Sequence, residues 1–217
     1  NKGLDGIYPL IAGVCDDNQK KRIISHLQNP EEMLSPYGIS AVDMSAGYFK
    51  VNGYWNGHVW FPHQWFIWKT MLDMGESDFA YTIAKLALDV WKREVEYSYY
   101  TFEMVSVVTG RGGWFHNFGG LSTPITMWSN AYFKAGTFNT GFDTWVDSVY
   151  FSENNTRLKA DITYFGKSEK ITVIATMNDD EKRKYKVMLD GKEAQFNERF
   201  KGTLEISLSI KDSEIHT

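Results

Sequence analysis

Apolar residues recur at helical spacing through most of the chain and switch to strict alternation near its end. Asp16 and Gln19 make a capping-box pattern ahead of Gln19–Gln28, where Ile23, Ile24 and Leu27 form a short apolar face. Asn29-Pro30 and Ser35-Pro36-Tyr37-Gly38 then punctuate a loop that runs to about Asn56. Pro62 suits a first helical turn, and Phe61, Trp65, Trp68 and Leu72 follow at helical spacing until Gly75. Ser77 and Asp78 open a longer helix, in which Phe79, Ile83, Leu86, Ala87, Val90 and Trp91 make a one-sided stripe. Thr123 and Pro124 read as the N-cap and first position of a last helix, Ile125 to about Lys134. The connecting stretches are longer than packing requires, and loops beyond about 12 residues in a compact domain are usually functional.

From Arg157 the period is two. Arg157–Phe165, Lys170–Thr176 and Thr203–Ile210 alternate, with Leu204, Ile206, Leu208 and Ile210 inward, and Asp190-Gly191 supplies a turn. The charges between the apolar positions read as a solvated outer face. All eight Trp lie in the first 146 residues, whereas the last 71 carry 12 of the 23 basic and 13 of the 27 acidic residues. That break places a boundary near Trp145–Ser152, between a helical domain (1–146) and a small antiparallel β-sandwich or β-sheet domain (147–217). The expected fold class is mainly α.

Composition narrows the function classes. At 217 residues, 43 % hydrophobic and net charge −4, the chain is long enough to bury a core and too apolar for disorder. No dense Lys/Arg stripe offers phosphates a partner, so nucleic acid is not expected as one. The longest apolar runs fall far short of the roughly 20 residues that span a bilayer, so no membrane partner is expected. The single cysteine, Cys15, cannot close an internal disulfide and reads as a small buried residue. Asn1 rather than Met begins the sequence and no signal-like segment precedes it, as expected of a processed chain or a piece of a longer one. Asn154-Asn155-Thr156 is a formal glycosylation sequon, relevant only to a chain secreted by a eukaryote.

Two stretches carry chemistry. Tyr54-Trp55-Asn56-Gly57-His58-Val59-Trp60-Phe61-Pro62-His63-Gln64-Trp65 sets aromatic plates, amides and imidazoles at the entrance to a helix. Sugars need that combination, with ring faces for C–H surfaces and planar amides for hydroxyls. Trp65 and Trp68 read as helix core, while Trp55 and Trp60 fall outside the helical register and read as site residues. His58 and His63, five apart with no carboxylate or cysteine at ligand spacing, read as hydrogen-bonding histidines rather than metal ligands. No metal or cofactor is expected, and structural calcium is not indicated. The second stretch runs from Tyr99-Tyr100-Thr101-Phe102-Glu103 to Thr109-Gly110-Arg111-Gly112-Gly113-Trp114-Phe115-His116-Asn117-Phe118. A carboxylate among aromatics is costly to desolvate unless paired or used, so Glu103 is the acid–base candidate. A surface Glu between exposed tyrosines is the plainer alternative. Gly110–Gly113 lacks the Lys-Ser/Thr and preceding apolar strand of a phosphate loop and reads as a permissive turn.

In order, Gly6–Gly13 (Gly-x-x-Pro-Leu-x-x-Gly), Leu27–Gly38, Tyr48, Tyr54-Trp55-Asn56-Gly57-x-Val59-Trp60, a helix ending at Gly75, and Glu103 followed by Thr109-Gly110 resemble glycoside hydrolase family 63 and its trehalase-like relatives. The resemblance covers about residues 5–135 and implies helical hairpins of a partial (α/α)6 toroid, followed by a β-domain. It implies an inverting mechanism, with Glu103 in the place of the general base. Trp55, Asn56, Gly57, His58, Trp60, His63 and Gln64 would wall the subsite at the cleaved bond, and Trp114 and Phe118 would close its other side. Such a base activates a water on the face opposite the leaving group. Asn56 stands where the family usually has Arg, and the family's Trp-Ser pair after the base is replaced by Phe118-Gly119-Gly120-Leu121-Ser122. The family's general-acid Asp lies upstream of every motif matched; neither Asp5 nor Asp43 fits its pattern.

The expectation is the C-terminal portion of a bacterial-type inverting glycosidase acting on an α-linked gluco- or manno-configured oligosaccharide. Its partner would be the N-terminal half of the toroid, on the same or another chain, and alone it would be inactive. A periplasmic or extracellular location is favoured over a cytoplasmic one. The alternatives are a non-catalytic carbohydrate-binding or structural module, and a helical pocket for terpenoids or lipids, which the amides and histidines beside the Trp disfavour.

Overall fold

The capping box forms as the sequence predicts. In the computed structural model, which describes residues 3–210, the Gln19 N–H donates to the Asp16 carboxylate at 2.8 Å. The Asp16 N–H donates to the Gln19 side-chain oxygen at 3.0 Å, and the helix runs Asp17–Gln28. Leu27 is buried and Ile23 and Ile24 are half-buried, so the apolar face is where the spacing puts it. Cys15, just ahead of this helix, is half-buried rather than buried. Asn1 and the outer ends of both expected domain ranges lie outside the described residues. The helices Phe61–Asp73 and Ser77–Ser98 also follow the pattern, with Phe79, Ile83, Ala87 and Val90 buried along the second. The last helix starts earlier than its Thr-Pro signal indicates. It runs Gly119–Phe133 with Pro124 inside, one backbone hydrogen bond forfeited near its beginning.

The expectation of a mainly α fold, a partial toroid of helical hairpins, is overturned. Among the described residues there are five α-helices making 34 % helix, against 29 % strand in several antiparallel sheets. Strands arise where the aromatic- and glycine-rich stretches suggest loops: His58–Val59, Phe102–Ser106 and Gly112–His116 pair into one sheet. Glu103, Met104 and Val105 are all buried, and a strand covered on both faces shows no alternation to read. No helix among the described residues is long and apolar enough to cross a membrane.

The chain divides into two compact units. The first comprises residues up to Trp68 together with Tyr81–Thr126; the second comprises Lys69–Ala80 and everything from Met127 on. The second contains a four-stranded antiparallel sheet in the order Phe196–Phe200, Thr203–Ser209, Lys170–Thr176, Thr137–Asn139. Two separate two-stranded ribbons accompany it, Thr144–Phe151 with Leu158–Tyr164 and Val187–Leu189 with Lys192–Ala194. Asp190 and Gly191 both take positive φ, 49° and 78°, as a two-residue hairpin turn requires. Ile171, Val173, Ala175, Leu204, Ile206 and Leu208 form the apolar core of this unit, as their alternation predicts. The other face is covered too. Thr176 Oγ1 donates to the Ala131 carbonyl at 2.6 Å and Thr203 Oγ1 to that of Tyr132 at 2.7 Å, so the end of the last helix lies over it.

A buried carboxylate closes the helix that ends at Asp73. Asp73 accepts the N–H groups of Phe142 (2.7 Å) and Asp143 (3.1 Å), while Lys69 donates to the Thr140 carbonyl. Burial outweighs the two backbone donors and the nearby Lys69, raising the Asp73 carboxyl from 3.8 to about 6. Between about pH 4 and pH 6 the folded chain therefore holds a proton that the unfolded chain has released, so this group's contribution to stability falls as pH rises and levels off above. Asp73→Asn loses one acceptor but cannot ionise. It should be less stable than the parent by about 1 kcal/mol at pH 4, and should gain about 2–3 kcal/mol on the parent by pH 7. Urea unfolding at both pH values tests this; an unchanged gap refutes it.

Candidate active site

Phe102–Ser106 is the middle strand of its sheet, with Val59 opposite Val105 on one side and Gly113 opposite Met104 on the other. The register slips between Phe102 and Met104, so Glu103 stands at a β-bulge, a device that re-aims side chains beside sites. On the facing strand Trp114 adopts φ 62°, an uncommon conformation for a bulky residue and one that persists only where its surroundings enforce it. The turn between the strands is held by a buried acid. Glu94 pairs with Arg111 Nε at 3.0 Å and accepts the Gly112 N–H at 3.2 Å. Gly110, at φ +66°, leaves no room for a Cβ, which would stand 2.6 Å from the Tyr37 ring.

Glu103 is only 5 % exposed. Tyr54 O–H donates to its Oε1, while its Oε2 is buried without a hydrogen-bond partner. The hydrogen bond to Glu103, then burial and the carboxylate's charge, raise the Tyr54 phenol above its ordinary value, so it stays a donor. Its ring is the hub of an aromatic cluster, with Trp60 and Trp114 each at 4.9 Å and Trp55 at 5.2 Å, all edge-on. Trp55 stacks on Trp60 at 4.1 Å and 10°, and Trp60 Nε1 donates to the Tyr54 carbonyl at 3.2 Å. Trp60 is buried; Trp55 and Trp114 are each 59 % exposed and present ring surface to solvent. Tyr54→Phe would leave both Glu103 oxygens without a hydrogen-bond donor, and a lower denaturant midpoint than the parent's is the expected result.

The other sequence candidates surround this cluster in different roles. Gln64 is fully buried; its amide accepts the Ile39 N–H at 2.8 Å and donates to the Ile39 carbonyl at 2.9 Å, so both ends serve the backbone. Asn56 donates to the Tyr48 carbonyl at 2.6 Å, and Gly57 packs where any Cβ would overlap the Lys50 carbonyl. His58 Nδ1 lies 2.7 Å from the Gly53 carbonyl, which can only accept, so that nitrogen carries the proton. His63 meets the edge of Trp55 at 6.1 Å and lines a cavity of about 850 Å³ with Asp5, Tyr8, Tyr48 and Trp55. Its Nδ1 is buried without a partner, and burial lowers its pKa against the opposing pull of Asp5. Phe118 is exposed just ahead of the last helix. Tyr54 is the residue that spacing alone misses, and its signal is adjacency to Trp55. Among the described residues no three His, Cys, Asp or Glu side chains group as a metal site requires.

A buried, half-satisfied carboxylate among aromatic plates is an arrangement suited to glycoside hydrolases, and comparison with known proteins gives the same class. The chain belongs to the mannosylglycerate hydrolase MGH1-like glycoside hydrolase domain family, whose profile matches residues 1–119. Among solved structures, an uncharacterized conserved protein from Thermus thermophilus is similar at 23 % identity and a TM-score of 0.53, over 59 % of this chain and 31 % of that one. A GH63 mannosylglycerate hydrolase from the same organism, in complex with Tris and D-glycerate, is similar at 23 % identity and 0.53, over 59 % and 30 %. A structure of that hydrolase in complex with glucose gives 23 % and 0.51, over 58 % and 30 %. This chain thus spans less than a third of the length of these structures. No curated protein matches the sequence.

Proposed function

We propose that this chain is the C-terminal portion of an inverting glycoside hydrolase acting on an α-linked gluco- or manno-configured substrate. Glu103 is its general base, and Trp55, Trp60 and Trp114 wall the sugar subsite. The observation that carries this reading is the Glu103 carboxylate, one oxygen fixed by Tyr54 and the other buried without a partner. A carboxylate left in that state is costly in a merely structural position. In the proposed reaction Glu103 takes a proton from water as that water attacks the anomeric carbon, while a second carboxyl protonates the leaving oxygen. The second carboxyl comes from the N-terminal part of the parent enzyme, on the same or another chain, because one group cannot serve both faces of the sugar. The 217-residue chain alone therefore binds sugar without turnover. The test is to follow hydrolysis by the complete enzyme with proton NMR. An α-glycoside should release the β-anomer first; first release of the α-anomer, or turnover by this chain alone, refutes the assignment.

A further inference from the structure

The second unit contains a cavity that the hydrolase chemistry leaves unused. Its four-stranded sheet offers Val173, Ala175, Leu204, Ile206 and Leu208 on one face, but the layer facing them is split. The ribbon containing Leu158–Tyr164 and the hairpin containing Val187–Leu189 belong to separate sheets, with no ladder between them among the described residues. A cavity of about 460 Å³ is lined by the sheet residues together with Ala160, Ile162 and Val187 from the two ribbons. The space is half open to solvent between the two ribbons. It also falls in the size range of small-molecule sites.

The cavity's charged residues have one sign. Among the described residues that line it, Arg157, Lys184 and Lys186 are cationic and none is acidic. Arg157 precedes one ribbon strand, and Lys184 and Lys186 precede a strand of the other. Lys186 is paired with Glu193 at 3.2 Å, both largely exposed, while Arg157 and Lys184 are exposed at the mouth. An apolar floor favours an apolar occupant, and a cationic mouth favours an anionic end on it.

We propose that this cavity binds a single-chain fatty carboxylate, its tail along Ala160, Ile162 and Val187 of the two ribbons and its carboxylate between Arg157 and Lys184. An apolar cavity of about 150 Å³ holds the six carbons of benzene, so a space of about 460 Å³ has room for the twelve carbons of a dodecyl tail. The test is calorimetric titration of the full 217-residue chain with dodecanoate below its micelle concentration. Saturable one-to-one binding is expected, with dodecylammonium, the same tail on a cation, at least about tenfold weaker. Reversing the exposed pair, Arg157→Glu with Lys184→Glu, should weaken dodecanoate about tenfold and strengthen the cation. Ala160→Trp should fill the space and abolish binding; should it fail to fold, the charge reversal still decides. Absence of saturable binding, equal binding of both amphiphiles, or insensitivity to the charge reversal overturns the proposal. So does a malto-oligosaccharide that displaces dodecanoate, which would make the cavity a sugar site.

Discussion

Glu103→Gln in the complete enzyme is expected to lower kcat by about 10²–10⁴-fold while moving KM little, because a positioned general base supplies about that factor. The substitution suits the geometry. Gln has nearly the shape of Glu, and its side-chain oxygen can still accept from Tyr54, so the bulge and the aromatic cluster should persist. What disappears is the capacity to take a proton from water. Thermal unfolding of the variant should therefore stay close to that of the parent, or rise slightly as a buried charge is removed. A rate within a few-fold of the parent would make Glu103 a structural carboxylate and overturn its assignment as the base. Tyr54→Phe provides the contrast, since it lowers stability and leaves the carboxylate in place.

The legible parts of the molecule are those whose determinants are local or periodic. The Asp16–Gln19 box, the stripe from Phe79 to Val90 and the Asp190-Gly191 turn are each specified within one turn or one helix face. The sheet that holds Glu103 is different. His58–Val59 pairs with Phe102–Ser106 from a distant part of the chain, and the paired core is buried, so neither spacing nor alternation announces the pairing. The two aromatic stretches stand out by composition, and the structure brings Trp55, Trp60, Trp114 and Glu103 from them around Tyr54. Composition cannot separate amides that face a ligand from amides that serve the backbone, and Gln64 is of the second kind. Nor can it reveal Glu94, whose partners Arg111 and Gly112 lie 17 and 18 residues further along, on a neighbouring strand and its turn.

Glu205 shows how alternation misleads when both faces of a sheet are covered. Its place between Leu204 and Ile206 suggests a solvated outer position, yet it is 2 % exposed. Arg199 makes the burial tolerable, donating through Nε to Oε1 at 2.9 Å and through Nη2 to Oε2 at 2.8 Å, with Asn197 adding a third contact at 3.2 Å. The register shift between Glu198 and Phe200 sets Arg199 at a bulge, diagonal to the Asn197–Glu205 pair. The carboxylate, more than the exposed Asp78 that the guanidinium also meets, keeps Arg199 protonated far above any working pH. Arg199→Ala should therefore cost about 3–5 kcal/mol in urea unfolding, since it strands a buried charge. Arg199→Met combined with Glu205→Leu removes both charges at similar volume and should recover most of that loss, to within about 1 kcal/mol of the parent. Near-equal stability of Arg199→Ala and the parent would mean that water reaches Glu205. A double variant as unstable as Arg199→Ala would instead show that the pair fixes the bulge geometry of the edge strand, a role that packing alone cannot replace.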